Sequence, residues 1–451
     1  MSRPAIPIQL LLLGIAPLAC LAQAQPVGDG GPVRLSLKRA VEIALSPEGS
    51  ARIQLSEEAL RQARLRSAEA RAALLPDIEG SVTEENLNRN LAAFGLQLSA
   101  PLPGFQIPAV VGPFNVFDAR ATASQSLFDF SSIRRFQASK VAVNAAKADR
   151  QNADNEVSAQ VAKAYYAALR SEAALEAANA DVALAEALVK QAQDQKTAGT
   201  GTGIEITRAR VQLANARQRQ LAAENDRRRA HLQLLRAMNV RLDIAIELTD
   251  KLAYLPADPI AVQEATQQAL NMRADWKAQQ QREENARLAS SAVKMERLPS
   301  LTAFADYGSI GTGIDNAFPT RTYGVSLRVP VFDGGRRDAR RAESQSQWRQ
   351  ERVRTSDLRE QIALDVRLAL DSLRSAEDQV KVAEEGLALA ENELEQARRR
   401  YAAGVANGIE VTDAQTRLER ARENRIAALY SYNLARIDLA QATGTIRSLV
   451  Q

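Results

Sequence analysis

The chain has 451 residues, 45% hydrophobic and 25% charged, so it has the apolar content for large cores and is not a globally disordered polymer. Its 82 alanines against only 4% aromatics favour long, closely packed helices over a sandwich or an α/β barrel. A single cysteine and a single histidine (His231) exclude disulfide frameworks, Cys/His zinc centres and most histidine-based catalysis, while 58 Lys+Arg interleaved with 54 Asp+Glu leave no basic stripe for nucleic acid.

Met1 to Ala24 carries Arg3, an apolar run from Leu10 to Leu21 and the small-residue exit Ala22-Gln23-Ala24, the pattern of a secretory signal cut after Ala24. Pro4, Pro7 and Pro17 make it a poor spanning helix. Cys20 follows Pro17-Leu18-Ala19, so lipidation of Cys20 is the competing reading; a proline stands where a lipoprotein signal wants a large aliphatic residue. Removal of the signal takes the formal charge from +4 to +3 and leaves no cysteine. No later segment is apolar enough to span as a helix, so any membrane insertion must use strands.

The remainder is one unit written twice. Gly199-Thr-Gly-Thr-Gly203-Ile204-Glu205-Ile206-Thr207-Arg208-Ala209 recurs as Gly404-Val-Ala-Asn-Gly408-Ile409-Glu410-Val411-Thr412-Asp413-Ala414. Leu75-Pro76 recurs as Leu298-Pro299, and Leu127-Phe128-Asp129 as Val331-Phe332-Asp333. The repeats occupy residues 25–250 and 251–451, and each reads helix, strand, loop, strand, very long helix, tight turn, helix.

In the first repeat, strands are predicted over about 77–86 and 116–128 and a helical hairpin over 131–239. Phe117, Ala119, Ala121 and Ala123 alternate with Asp118, Arg120, Thr122 and Ser124, one apolar face and one polar. Leu87 to Asn115, rich in proline and phenylalanine, reads as an outward-facing loop: Pro76 and Phe128 lie 52 residues apart, their counterparts Pro299 and Phe332 only 33. No glycine or proline interrupts 131–198, a helix approaching 100 Å at about 1.5 Å per residue.

In the second repeat, strands are predicted over about 300–310 and 321–331 and a hairpin over 336–443. From Ile362 through Val366, Ala369, Leu373, Ala376 and Val380 to Tyr401, apolar residues step by four and three, a heptad seam whose small member is almost always alanine. Leu175, Ala178, Val182, Ala185, Val189 and Ala192 keep the same register in the first repeat. Segments of about ten residues suit transmembrane strands. A soluble two-sided sheet has the same alternation. Four strands cannot close a membrane barrel; two copies would supply eight and three copies twelve, so a strand-inserting chain of this kind must oligomerise.

With the duplicated order, the Val331-Phe332-Asp333-Gly334-Gly335 strand exit and the two glycine turns ending in Glu-[Ile/Val]-Thr-x-Ala, the chain from about Val33 to Leu449 resembles the TolC-like outer-membrane efflux protein family. The resemblance implies a mainly α fold with a small β part, assembled as a homotrimer: a trimeric α-barrel crossing the periplasm and a 12-stranded transmembrane β-barrel in outer-membrane lipid. It implies a passive duct in the outer membrane of a Gram-negative bacterium, docked through a periplasmic adaptor to an inner-membrane pump, proton-driven or ABC, serving efflux or type I secretion. No enzyme activity, cofactor or metal is expected. A periplasmic coiled-coil structural or adaptor protein is the alternative; it shares the hairpins but needs no amphipathic strands.

The resemblance puts the glycine turns, with Gly199, Gly203, Gly404 and Gly408, at the periplasmic entrance where the adaptor docks. Thr202-x-x-Glu205 fits a capping box and Asn407-x-x-Glu410 is a close relative of it, which gives both glutamates a structural role. Glu410 and Asp413 also share a helix face and match the family's acidic pair, an implied pore constriction. Tyr401 matches a tyrosine that bonds an acid of the neighbouring hairpin, here Glu205. The family's basic gate residue falls on Ala406, so a bridge from Arg208 to Asp413 or Glu410 is the expected substitute. His231, Trp276 and Trp348 read as surface or packing residues.

Overall fold

The computed structural model describes residues 32–94, 109–256 and 258–450. The signal segment with Cys20, and Pro101, Pro103, Phe105 and Pro108 of the first strand connection, lie outside the described residues.

The first repeat runs β1 (Val33–Leu35), α1 (Leu37–Leu45), α2 (Ala51–Ala72), β2 (Asp77–Asn90), β3 (Val110–Phe128), α3 (Phe130–Thr197), α4 (Gly203–Ala237) and β4 (Ile246–Leu248). The second runs α5 (Val262–Met272), α6 (Ala274–Met295), β5 (Ser300–Gly311), β6 (Phe318–Arg328), α7 (Arg336–Ala402) and α8 (Gly408–Thr443), followed by α9 (Ile446–Val450). Each repeat therefore opens with two helices rather than the single helix expected. Pro47 and Gly49 break the first pair, and Ser50 caps α2 by accepting from Arg52 N–H at 3.3 Å. No helix among the described residues is long and apolar enough to cross a membrane.

β2, β3, β5 and β6 form one antiparallel sheet in that order. The register aligns Ile78, Ala123, Ala305 and Tyr323 in one row and Glu79, Thr122, Asp306 and Thr322 in the next, so one face is mainly apolar and the other mainly polar. On the apolar face Ile78, Val82, Tyr307, Tyr323, Val325 and Leu327 are between 61% and 79% exposed. Arg321 also falls on this face, opposite Tyr307. On the polar face Arg120 pairs with Asp118 and lies 3.8 Å from Asp306. Two glycines make room there: a Cβ on Gly308 would stand 2.5 Å from the Ala119 carbonyl and Arg120 Cβ, and one on Gly324 would meet the Phe304 ring at 2.8 Å.

The two ends of the expected loop over Leu87–Asn115 are strand. β2 continues to Asn90 and β3 begins at Val110, leaving a two-stranded ribbon that extends beyond the end of β5 at Gly311. Polar residues such as Asn86, Asn88 and Asn90 have weak strand preference, but ladder bonds and the Asn86 to Asn115 side-chain bond (2.5 Å) hold them. β6 starts three residues before the predicted 321 and stops at Arg328 rather than 331. It is an edge strand, which tolerates Pro319, and its pairing ends where Arg328 meets Ser300.

Each long helix folds back on its partner, α3 on α4 and α7 on α8, and α3 also packs along α8, which joins the two hairpins. The predicted α7 seam is buried at Ile362, Val366, Ala369, Leu373, Ala376, Val380, Ala390, Leu394, Ala397 and Tyr401. The α3 seam is buried only at Ala178, Ala185 and Ala192, with Leu175, Val182 and Val189 half-buried in the protomer. Trp276 is half-buried against the α5–α7–α8 cluster. Trp348 is half-buried beneath the Arg352 guanidinium, and His231 Nε2 lies 3.1 Å from Glu172.

Midway along the hairpins a compact body gathers around Tyr165, which is fully buried among Leu35, Val41, Ile53, Leu234, Leu248, Ile437 and Ile446. β1 and β4 pair in parallel there, Val33 to Ile246 and Leu35 to Leu248, an element too short for sequence periodicity to reveal. The Tyr165 hydroxyl lies 2.8 Å from Asp250 Oδ2 and 3.0 Å from the Leu35 carbonyl, and Leu37 N–H donates to the same carboxylate oxygen at 3.0 Å. Burial, then the Asp250 carboxylate, push the Tyr165 phenol well above its ordinary range.

Two outcomes follow for stability. Tyr165→Phe removes a buried bond to a charged acceptor and should lower unfolding free energy by about 1.5–3 kcal/mol, measured by guanidinium unfolding in detergent. Gly308→Ala should displace β3 against β5 and weaken the strand signal by circular dichroism, while the helical signal stays unchanged.

Candidate functional site: the hairpin tips

Both tips are built by the same device. The long helix ends, a glycine takes the left-handed conformation (Gly199 φ +75°, Gly404 φ +71°), and its N–H donates back into the last turn, to Lys196 O and Tyr401 O, each at 3.1 Å. Nothing stands within 4 Å of where a Cβ on either glycine would lie, so the backbone conformation alone selects glycine. Gly203 and Gly408 do not use this freedom; they are the first residues of α4 and α8.

The two glutamates diverge. The Glu205 carboxylate accepts from Thr202 N–H at 3.2 Å, as a capping residue should. At the second tip Asn407 Oδ1 accepts from Ile409 N–H and Glu410 N–H, both at 3.2 Å, while the Glu410 carboxylate pairs with Arg400 at 3.3 Å across its own turn. Only the asparagine half of the expected capping pattern forms here: the Glu410 carboxylate turns to Arg400 rather than back to the Asn407 N–H. Arg400, immediately before Tyr401 in sequence, was not singled out by the motif because it lies outside the repeated segment.

Tyr401 is buried in the cluster of Leu394, Ala397, Val411, Ala414 and Leu418, and its ring and the Glu205 side chain both approach Gly408 to about 4 Å of where a Cβ would lie. Burial raises the Tyr401 phenol, and the nearby negative charge of Glu205 adds to the shift. The two hairpins of one protomer thus meet at these residues, without a direct Tyr401–Glu205 hydrogen bond. Arg208 and Asp413 are exposed, and among the described residues neither has an ionic partner in the protomer, so the expected bridge from Arg208 is not formed within one chain.

Between the tips lies a cavity of about 30 Å³ lined by Ala185, Leu188, Ala192, Arg208, Tyr401 and Gln415, among others. Farther from the tips, Arg422 donates to Asp181 at 2.7 Å and Arg219 lies 2.7 Å from Glu419, two links that tie the hairpins together. Burial pushes both carboxyls up against the pull of their arginines. Neither link was legible from the turn motifs, since the partners lie about 200 residues apart. Among the described residues no group of three or more His, Cys, Asp or Glu is placed to hold a metal ion.

The fold has known counterparts. The family model for outer membrane efflux proteins matches residues 47–240 and 261–445, the two repeats in turn. The pyoverdine export outer membrane protein OpmQ of Pseudomonas putida is 25% identical over 436 residues, which cover 95% of this chain and 90% of that protein. The outer membrane protein TolC of Vibrio cholerae is 25% identical over 335 residues, covering 69% and 74%. The solved structure of the outer membrane protein VceC of Vibrio cholerae superposes with a TM-score of 0.76 at 19% identity, over 90% of this chain and 96% of that one. With both repeats matched in order and the whole architecture shared, the chain belongs to the outer membrane efflux protein family.

Proposed function

We propose that three copies of this chain close into a passive outer-membrane duct, with the four-stranded sheet of each copy forming one third of a 12-stranded barrel. The observation that carries this reading is the sheet: its apolar face is exposed and its outer strands, β2 and β6, have open edges. In lipid an open edge leaves backbone groups unpaired, so the edges must meet those of other copies. A coiled-coil protein without a pore would leave both the edges and the apolar face without purpose.

Members of the family are channels rather than enzymes and work with periplasmic adaptors and inner-membrane pumps. The hairpin tips are the proposed contact for such an adaptor, with Gly199 and Gly404 setting their shape. The proposed constriction comprises Glu205, Arg208, Tyr401, Glu410 and Asp413. Within it, Arg400 fixes Glu410, while Arg208 and Asp413 carry opposite charges free to meet across the assembly. Exposed pairs are worth about 0–1 kcal/mol each, so a few such links can hold a tip closed and still yield when an adaptor binds.

Native mass measurement of the detergent-solubilised protein should give a trimer, and a stable monomer would remove the barrel. In planar bilayers Arg208→Ala should raise conductance; unchanged conductance would discard the Arg208 lock while leaving the duct intact. Divalent cations added on the periplasmic side should block the wild type, and Glu410→Gln combined with Asp413→Asn should abolish that block.

A further inference from the structure

Where the sheet meets the long helices, two kinds of surface lie next to each other. The apolar one comes from the strand ends and the residues after them: Phe128 is 50% exposed, Val331 91% and Phe332 88%. Phe130, packed edge-on against Phe128 at 4.6 Å, extends it into the first turn of α3. Such aromatic residues mark the level at which hydrocarbon gives way to headgroups.

Directly beyond this level the helices are rich in arginine, and the carboxylates at the helix starts, Asp129, Asp333 and Asp338, are already committed, while Asp77 at the start of β2 has no arginine partner among the described residues. Asp129 accepts from Ser131 N–H (2.9 Å) and Ser132 Oγ (2.6 Å) to cap α3. Asp333 pairs with Arg337 at 3.2 Å, Asp338 with Arg297, and Glu296 with both Arg135 and Arg340. These pairs link α3, α6 and α7 at one height. Four further arginines have no carboxylate partner among the described residues: Arg71 in the last turn of α2, Arg134 in α3, and Arg336 and Arg341 in α7. All are exposed or half-exposed. Arg134 and Arg341 lie four and five residues into their helices, about 6–8 Å at the helical rise, which matches the depth of a headgroup layer. The N-terminal ends of α3 and α7, positive by virtue of their peptide dipoles, point into the same layer.

We infer that this collar binds the phosphate groups of anionic phospholipids in the leaflet facing the periplasm. Neutral headgroups carry a compensating cation, whereas an anionic lipid leaves its phosphate charge for arginine, which grips it through paired N–H donors. The adjoining Val331 and Phe332 contact the acyl chains of the same molecules. Each basic group near an anionic surface contributes about a fivefold enrichment, attenuated within a Debye length by salt.

The test uses the full protein reconstituted in phosphatidylethanolamine nanodiscs with and without phosphatidylglycerol, followed by native mass spectrometry of retained lipid. Wild type should retain phosphatidylglycerol over phosphatidylethanolamine at least tenfold, with the preference falling as salt is raised. The combined variant Arg71→Gln, Arg134→Gln, Arg336→Gln and Arg341→Gln should lose most of that preference, whereas Arg208→Gln at the distant tip keeps it. Equal retention of the two lipids by wild type, or an unchanged preference in the combined variant, overturns the inference. If the combined variant does not assemble, the single variants Arg71→Gln, Arg134→Gln, Arg336→Gln and Arg341→Gln provide the comparison: a partial loss of preference in the assembled ones supports binding at these positions, and unchanged preference in all of them counts against it. Failure here leaves conduction untouched, because bilayer conductance of the wild type is measured separately.

Discussion

A backbone immersed in hydrocarbon has to satisfy its own hydrogen bonds, and among the described residues this chain offers the proposed barrel one sheet of four strands. Every other feature answers to that shortage. The sheet sorts mainly apolar residues to one face and mainly polar ones to the other, as lipid on one side and water on the other would require. Its polar face holds Arg120 with Asp118 and Asp306, and Gly308 lets the neighbouring strand lie close against the Ala119 carbonyl and the root of the Arg120 side chain. The strands are continuous with helices about 100 Å long, so the contacts that bring copies together at the sheet also set the helices side by side.

Alanine dominates the seams because a wall one helix thick has water on two sides and neighbours on the other two. Large apolar side chains would widen the seam or protrude into water, whereas alanine lets helix axes approach closely. Where the wall must be anchored, at the body around Tyr165 and the cluster around Tyr432, larger residues return. The aromatics are few: Tyr165 and Tyr432 stand at these anchors and Tyr401 at the tips, while the sheet carries Phe117, Phe304, Tyr307, Phe318 and Tyr323.

Much of this was legible in the sequence because duplication doubles every signal. The helix hairpins were bounded within a residue or two, since uninterrupted heptads and glycine turns are strong and local. Strand limits were less legible: Pro319 reads as a breaker although an edge strand accepts it, and the asparagine-rich ribbon after Leu87 lacks the residues that announce a strand. The paired helices that open each repeat were merged, and β1 with β4 was invisible, because three residues carry no period. At the tips, the capping role of Glu205 follows from spacing alone. The partner of Glu410 does not, since its carboxylate can reach back to the Asn407 N–H or across the turn to Arg400, and only three-dimensional geometry decides between them. Links such as Asp181 to Arg422 join sequence positions that no local pattern connects.

The body around Tyr165 draws its walls from both extremes of the described chain. Leu35 and Val41 come from the start of the first repeat, Leu248 and Asp250 from its end, and Ile437 and Ile446 from the last helices. Contacts of such long sequence separation form late in folding. The middle of the hairpins therefore acts as a checkpoint on completeness: a chain shortened before Ile437 would expose an unfilled apolar hollow in the periplasm, a mark by which proteases and chaperones can tell finished copies from unfinished ones before any strand reaches the membrane.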